Sequence, residues 1–229
     1  MATIVKAENL RKVYKVGKEK VVALSEVNFE IGEGEIVAIL GPSGSGKSTL
    51  LNQLAGLEKP TKGWVYIGKR NISEMSENEL AVFRQKHLGF VFQSYNLLPA
   101  LTAEENVALP LMFQGIDKEV RLKAARKQLK LMGLLDRAGH KPTEMSGGQQ
   151  QRVGIARAFV GNPKVIFADE PTGNLDSKTT QTVIEAMVSH AKENNITFIM
   201  VTHDTNLAAM ANRVISILDG EILSNTYRE

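Results

Sequence analysis

Three short apolar runs stand out in the hydropathy pattern of the chain. They cover residues 35–40, 165–168 and 196–201, and β-branched side chains are frequent in them. Runs of this length and composition are typical of strands that are buried on both faces of a parallel sheet. Because helical patterns lie between them, the three runs predict a doubly wound α/β core.

Apolar and polar residues alternate in three other stretches, at residues 4–14, 21–31 and 63–70. A period of two is typical of antiparallel strands that bury one face and expose the other. The sequence therefore predicts a mixed sheet in the core and an antiparallel β flank towards the N-terminus.

The pattern becomes helical between residues 93 and 160. Thr102 and Glu105 have the spacing of a capped helix start, and residues 117–132 are rich in Lys, Arg, Ala and Leu at helical spacing. We expect an α-helical subdomain at residues 93–160, inserted into a nucleotide-binding core with its β flank at residues 1–92 and 161–229.

Composition adds few constraints. The hydrophobic share of 43% is ordinary for a globular protein of 229 residues, and a net charge of +3 without blocks of like charge is not typical of a nucleic-acid binder. No run approaches the roughly 20 apolar residues of a membrane span, and no signal peptide is evident, so we expect a cytoplasmic protein unless a partner holds it at a membrane. The absence of cysteine excludes disulfides and thiol catalysis.

A glycine-rich segment follows the first buried run and precedes a helical stretch at residues 48–57. It satisfies the phosphate-loop pattern of Gly, four residues and Gly-Lys-Ser, with the residues Gly41, Pro42, Ser43, Gly44, Ser45, Gly46, Lys47, Ser48 and Thr49. Glycines let backbone N–H groups close around phosphates, and the following helix adds its positive N-terminal end. Lys47 is predicted to bridge the β- and γ-phosphates and Ser48 to ligate Mg²⁺. The alternative is an ordinary glycine-rich turn.

Two carboxylates, Asp169 and Glu170, end the second buried run. Charge at the end of a buried strand is costly unless a cation or water receives it, which favours a functional explanation over a structural one. Asp169 suits a carboxylate that holds Mg²⁺ through water, and Glu170 suits a general base for the attacking water.

A second glycine-rich turn, Ser146, Gly147, Gly148 and Gln149, precedes a helical run at residues 150–160. A helix N-terminus of this kind is a potential anion site. Taken alone, it is better explained as a capped helix start, since Ser and Gly are common at N-caps.

These motifs, in this order, resemble those of the ABC ATPase family, and the resemblance covers nearly the whole chain. Within it, Ser146 to Gln149 correspond to the family signature, Tyr14 to the aromatic that stacks on adenine and Gln93 to the Q-loop glutamine. His203 corresponds to the switch histidine and Asp176 to a dimer contact of the D-loop.

Each of these four single residues also has a structural alternative. Tyr14 could be an ordinary strand aromatic and Gln93 a surface polar residue. His203 could belong to a hydroxyl-rich turn, although ligands bind at the carboxyl ends of strands in α/β folds. Asp176 could cap the helix predicted at residues 177–194, with or without a dimer contact.

The resemblance implies ATP and Mg²⁺ as ligands, with Ser48, Gln93 and Asp169 at the metal and with Glu170, His203, Lys47 and Gln93 in catalysis. It also implies a head-to-tail dimer of two copies, in which the signature turn of one copy covers the ATP bound by the other. The remaining partner is a separate transmembrane permease subunit, which places the chain on the cytoplasmic face of the membrane. The resemblance implies no direct contact with nucleic acid.

Within the family, residues 92–99, 104–107 and 169–176 resemble the lipoprotein-releasing and macrolide-exporter branch (LolD/MacB type). This implies an exporter or extruder of lipoprotein, peptide or antibiotic. Two alternatives stay open: an ATPase that regulates a membrane protein controlling an enzyme outside the cell, as in cell division, and a soluble ATPase acting on nucleic acid.

The match departs from the family pattern at two positions. Met145 stands where leucine is usual, a volume-conserving exchange that we expect to change little. Gly154 lies inside the predicted signature helix, where glycine costs about 1 kcal/mol relative to alanine. We expect Gly154 to mark a point of close packing.

Overall fold

The computed structural model describes residues 2–173, 175 and 177–228, with the backbone alone for Ser177 and Lys178. The chain divides into two compact units, Met1–Arg84 together with Thr197–Glu229, and Gln85–Ile196. The strands among the described residues are β1 (Thr3–Val16), β2 (Glu19–Gly32), β3 (Ile36–Leu40), β4 (Lys62–Ile67), β5 (Arg70–Asn71), β6 (Leu88–Val91), β7 (Val165–Asp169), β8 (Thr197–Thr202), β9 (Arg213–Leu218) and β10 (Glu221–Tyr227). The α-helices there are α1 (Lys47–Leu54), α2 (Glu77–His87), α3 (Ala103–Phe113), α4 (Lys118–Leu131), α5 (Gly147–Phe159), α6 (Ser177–Glu193) and α7 (Thr205–Ala208), with short 3₁₀ turns at Leu135–Arg137 and Pro142–Glu144.

The first unit contains the predicted antiparallel flank as a sheet of order β2-β1-β4-β5. Strand β1 pairs with β2 so that Val5 lies opposite Ile31 and Ala7 opposite Phe29, and all four side chains are buried. The stretch predicted as one strand at residues 63–70 forms two, because Gly68 adopts a left-handed conformation (φ 58°) and turns the chain between them.

The other sheet of the first unit has the order β10-β9-β3-β8. Strand β3 runs parallel to both β8 and β9, and its residues 36–39 are fully buried, as the apolar run predicted. Strand β10 pairs antiparallel with β9, which makes the sheet mixed. The hydropathy pattern did not indicate β10, because six of its seven side chains are exposed and carry no clear alternation.

The second unit holds the parallel pair β6 and β7 and the helices α3, α4 and α5, which pack on one another. The Phe90 and Phe167 rings from the two strands stack with centroids 6.1 Å apart. Strand β7 confirms the predicted run at residues 165–168. Strand β6 escaped prediction because its four residues are too few to show a period.

The helix starts at Thr102 and Ser146 have the caps that were predicted for them, and α4 has a cap that was not predicted. The Thr102 hydroxyl accepts from the Glu105 N–H at 3.3 Å, and the Glu105 carboxylate accepts from the Thr102 N–H at 2.9 Å. Asp117 caps α4 by accepting from the Glu119 N–H. The signature helix α5 begins at Gly147, three residues earlier than predicted, because Ser146 satisfies its first turn.

The predicted helical segment at residues 93–160 lies within the second unit. Its status as a separate subdomain stays a prediction. No helix among the residues described is both long enough and apolar enough to cross a membrane.

Gly154 does not mark close packing, so that expectation was wrong. The residue is buried in α5, but a methyl group there would meet the Tyr95 carbonyl oxygen at 3.5 Å, an ordinary van der Waals distance. At Gly89 on β6, in contrast, a methyl group would overlap the Ala158 carbonyl oxygen. Only the second glycine is required by its surroundings.

Replacing Gly154 with alanine should therefore stabilise the protein by about 0.5–1 kcal/mol, because alanine loses less backbone entropy in a helix. The measurement is the free energy of unfolding from urea denaturation. Gly89→Ala is the matched control and should destabilise. A loss of stability in Gly154→Ala would show that the helix needs glycine there.

Candidate functional site

The phosphate loop lies in the first unit between β3 and α1, as predicted. Gly44 and Gly46 have φ of 81° and 100°, the left-handed conformation that favours glycine. A side chain at Gly46 would also lie 2.5 Å from the Ala23 carbonyl oxygen. The loop can keep this shape only with glycine at position 46.

The base of the loop is equally tight. A Cβ at Gly41 would overlap the Ile217 carbonyl oxygen and lie 2.7 Å from the Ser45 hydroxyl. Ser45 is 2% exposed, and its hydroxyl has no hydrogen-bond partner among the described residues. A buried hydroxyl without a partner costs free energy unless a ligand supplies one. This orphaned group fits a loop that receives a polyatomic anion.

Lys47 holds its ammonium group inside the loop. The Nζ atom donates to the carbonyl oxygens of Gly41 at 2.8 Å and Pro42 at 2.7 Å, and the residue is 7% exposed. These carbonyls satisfy the charge while leaving it at the loop, where phosphate oxygens can replace them. Ser48 is exposed in the first turn of α1, and its hydroxyl is of the hard oxygen type that Mg²⁺ prefers.

Tyr14 lies half-buried near the end of β1. Its hydroxyl donates to Glu58 at 2.6 Å and is also hydrogen-bonded to the side chain of Thr49, the last residue of the phosphate loop. Burial and the bond to Glu58 raise the pKa of Tyr14, so the phenol is protonated at neutral pH. The first unit thus brings together two predicted elements, the aromatic residue and the phosphate loop.

His203 is the other predicted residue of the first unit. It is exposed directly after β8, and Asp204 behind it caps the short helix α7 by accepting from the Asn206 N–H at 2.7 Å. The cap accounts for the polar turn around the histidine, and the imidazole lies at the carboxyl end of a parallel strand, where ligands bind in α/β folds.

In the second unit, Asp169 and Glu170 stand half-buried at the end of β7. Glu170 has a positive φ of 44°, an uncommon conformation for a residue with a side chain. Its carbonyl oxygen accepts from the Gly173 N–H at 3.1 Å, which closes a tight turn. Such strained positions cluster at functional sites.

Gln93 is exposed shortly after β6, and its amide nitrogen lies 3.8 Å from the Cβ position at Gly173. The second unit therefore places Gln93 beside the turn that begins at Glu170. Asp176 and Asn174 lie outside the described residues.

The signature turn is a capped helix start, as its structural alternative proposed. The Ser146 hydroxyl accepts from the Gln149 N–H at 3.3 Å, and the Gln149 side chain accepts from the Ser146 N–H at 2.9 Å. A Cβ at Gly147 would lie 2.7 Å from the Tyr95 hydroxyl, and one at Gly148 would lie 3.1 Å from Leu175. The cap leaves the turn exposed at Ser146, so an anion can still approach it.

Two further residues of α5 connect this helix to the other elements of the second unit, and neither was predicted from the sequence. Gln151 is 1% exposed and donates to the Pro171 carbonyl at 2.6 Å and, more weakly, to the Phe92 carbonyl at 3.4 Å. Its helical spacing to the buried Ile155 was the available signal, because a polar residue on an apolar face needs buried partners.

Arg157 is the second of these residues. Its guanidinium donates to the carbonyl oxygens of Tyr95 at 2.8 Å and Asn96 at 2.5 Å, and both of those residues have positive φ. Burial lowers the pKa of Arg157 from its ordinary value. The forked side chain thus holds the strained backbone that follows Gln93.

The known proteins that are similar to this chain agree with the family predicted from its motifs. The chain matches the ABC transporter family over residues 24–173. It is 53% identical over 220 residues to the uncharacterized ABC transporter ATP-binding protein MJ1508 of Methanocaldococcus jannaschii, which covers 96% of this chain and 98% of that protein. It is 45% identical over 226 residues to the macrolide export ATP-binding/permease protein MacB 1 of Yersinia pestis, which covers 99% of this chain and 35% of that protein.

A solved structure shows the same fold. The dimeric post-hydrolysis state of the ATP-binding cassette MJ0796, bound to ADP and Pi, superposes with a TM-score of 0.94 at 46% identity, over 99% of this chain and all of that one. The fold and the phosphate loop define an α/β P-loop ATPase. The chain belongs to the ABC transporter family, as an ATP-binding subunit that hydrolyses ATP. The MacB relative is consistent with the predicted branch.

Arg157→Lys should weaken the hold on the segment after Gln93, because an ammonium group cannot bond two carbonyls with the fork of a guanidinium. We expect a loss of about 1–2 kcal/mol in the free energy of unfolding, and ATP turnover lowered several-fold. Arg126→Lys is the control, since Arg126 on α4 pairs with a single carboxylate, that of Glu104 on α3, and its own side chain is 57% exposed. Equal effects in the two variants would contradict the role given to Arg157.

Proposed function

We propose that this ATPase works as a head-to-tail pair of identical chains around two ATP molecules and drives a membrane permease that exports or extrudes its substrate. The observation that carries the proposal is the presence of two anion-binding turns in one chain, the phosphate loop and the exposed turn at Ser146. A single ATP needs only the first. In the family arrangement, the second turn belongs to the ATP of the other copy.

Each predicted residue has a definite role in this proposal. Lys47 binds the β- and γ-phosphates, and Ser45 gains the partner that its hydroxyl lacks. Glu170 orients and deprotonates the attacking water, and His203 stabilises the charge that develops on the γ-phosphate.

Three residues are proposed to hold the metal ion. Ser48 and Gln93 offer a hydroxyl and an amide oxygen, and Asp169 offers a carboxylate through water, a donor set that suits Mg²⁺. The ion, when bound, neutralises charge between the β- and γ-phosphates. Asp176 is proposed as a contact between the two copies.

Electrostatic attraction between helix α5 of one copy and the ATP of the other stabilises the proposed dimer. The N-terminal end of α5 carries partial positive charge, and two glycines at its first positions leave the backbone N–H groups accessible to a γ-phosphate. Hydrolysis removes the phosphate that joins the two copies, so the pair can open. The relative MJ0796 is dimeric with ADP and Pi, which supports this arrangement for the present chain.

Glu170→Gln tests this proposal directly. Removing the general base should lower ATP turnover by about 100-fold or more while ATP binding persists, so the variant should accumulate as an ATP-dependent dimer. Light scattering coupled to gel filtration, with and without Mg-ATP, measures the mass. Adding Ser146→Arg should return the variant to a monomer, and Lys47→Ala should abolish ATP binding. A Glu170→Gln variant that stays monomeric at saturating ATP would contradict the proposed dimer.

The permease partner is supported by the surface of segment 94–114, on which Leu98, Met112 and Phe113 are 49%, 41% and 66% exposed. We propose that this surface receives a cytoplasmic segment of the permease and holds the ATPase on the cytoplasmic face of the membrane. The MacB relative, whose name joins ATP-binding and permease functions, supports an export role.

Phe113→Glu should detach the protein from this partner, because a charge in an apolar contact is costly to desolvate. The measurement is the recovery of a membrane protein with the tagged chain from detergent-solubilised native membranes. Trp64→Glu is the control, since Trp64 is similarly exposed on β4. Undiminished recovery with Phe113→Glu would exclude this surface.

A further inference from the structure

Glu58 lies in the turn after α1 and joins two side chains of β1. One carboxylate oxygen accepts from the Tyr14 hydroxyl at 2.6 Å, and the other pairs with the Lys12 ammonium at 2.7 Å. The same ammonium donates to the Lys59 carbonyl at 2.8 Å. Lys12 is 13% exposed at its side chain and Glu58 31%, so the cluster is shielded more than a typical surface ion pair.

The charges in this cluster are well defined. Burial alone would raise the pKa of Glu58, but the hydrogen bonds from Lys12 and Tyr14 lower it below its ordinary value. Glu58 is therefore ionised at neutral pH and Tyr14 is not. The bond between them is a charge-assisted bond from phenol to carboxylate, which is short and directional.

Lys12 also covers one face of the Tyr14 ring. Its ammonium nitrogen lies 5.1 Å from the ring centroid, within the range of a cation–π contact. A planar base that stacks on Tyr14 must then use the opposite face. Because Glu58 fixes the hydroxyl and Lys12 covers one face, the orientation of the ring is defined before any ligand binds.

The Tyr14 hydroxyl also contacts the phosphate loop through Thr49, which lies next to Ser48. The ring that would meet the base is thus tied to the segment that would meet the phosphates.

We propose that Glu58 is a positioning residue for nucleotide binding, which with Lys12 holds the Tyr14 ring to receive the base. The inference rests on the proposed function, in which Tyr14 stacks on the adenine base of ATP as the family resemblance implies. It assigns to Glu58 an effect on recognition of the base and none on phosphate chemistry. A purely structural role, fastening the turn at Glu58 to β1, would instead affect the loop and the base equally.

The experiment compares Glu58→Ala, Tyr14→Phe and their double variant by steady-state ATPase kinetics, together with Tyr14→Ala, which removes the ring itself. Each single variant should raise KM for ATP about five- to tenfold with kcat within about twofold, because the ring loses its fixed orientation but the phosphate contacts remain. The effect of the double variant on KM should be smaller than the product of the two single effects, since both variants remove the bond between Tyr14 and Glu58. Inhibition by inorganic tripolyphosphate, which has no base, should be unchanged.

Two control variants test whether a raised KM is specific to the loss of the Glu58 side chain. Glu30 on β2 has an exposed carboxylate that pairs with Lys6 of β1 at 3.1 Å, away from Tyr14 in the strand. Glu30→Ala should therefore leave KM unchanged. Glu58→Gln keeps an acceptor for Tyr14 and loses only the charge, so its KM should lie between those of the wild type and Glu58→Ala.

The outcomes separate the inference from the proposed function. If Tyr14→Ala raises KM and Glu58→Ala does not, Tyr14 stacks on the base without help and Glu58 has no positioning role. A weaker tripolyphosphate inhibition in Glu58→Ala would reveal a structural effect on the loop and overturn the inference. An unchanged KM in Tyr14→Ala would overturn the stacking role itself, leaving the phosphate-loop assignment intact.

Discussion

The buried strand β3 is the constraint on which the phosphate loop depends. It pairs in parallel with β8 and β9, and residues 36–39 are fully buried on both faces, so a shift of the strand along its neighbours would disrupt the packing of every side chain. The strand therefore ends at a fixed point, against the Ile217 carbonyl, where only glycine fits at position 41. Lys47 and the hydroxyl of Ser45 are then held at one place in the fold.

Helix α5 has the corresponding position in the second unit. Its N-terminus presents the signature turn, Gln151 reaches the Pro171 carbonyl and Arg157 fastens the backbone after Gln93. A buried donor that loses its partner costs roughly 1–3 kcal/mol, so these bonds resist independent movement of the segments they join. Any rotation of the helix would displace the Gln93 segment and the turn after Glu170 together. A movement of α5 caused by the proposed contact of the signature turn with ATP would therefore be transmitted to the residues proposed for hydrolysis.

Much of the site could be predicted because its motifs are local. The phosphate loop needs glycine at fixed intervals, since backbone N–H groups must approach phosphates closely, and this requirement is visible in the sequence. The caps at Thr102 and Ser146 act over three residues and were equally visible. The packing at Gly154 could not be predicted in this way, because a glycine in a helix pattern does not reveal whether a methyl group would fit.

The sequence by itself determined the buried strands, the phosphate loop, the carboxylates at the end of β7 and the family to which they belong. Only the tertiary structure decided that Glu58 meets Tyr14 across 44 residues of chain and that Gln151 meets Pro171 across 20. It also placed the polar strand β10 beside β9. The physical reason is that local patterns report backbone preferences and the burial of one face, whereas the partner of a buried polar side chain depends on which distant segments packing brings beside it.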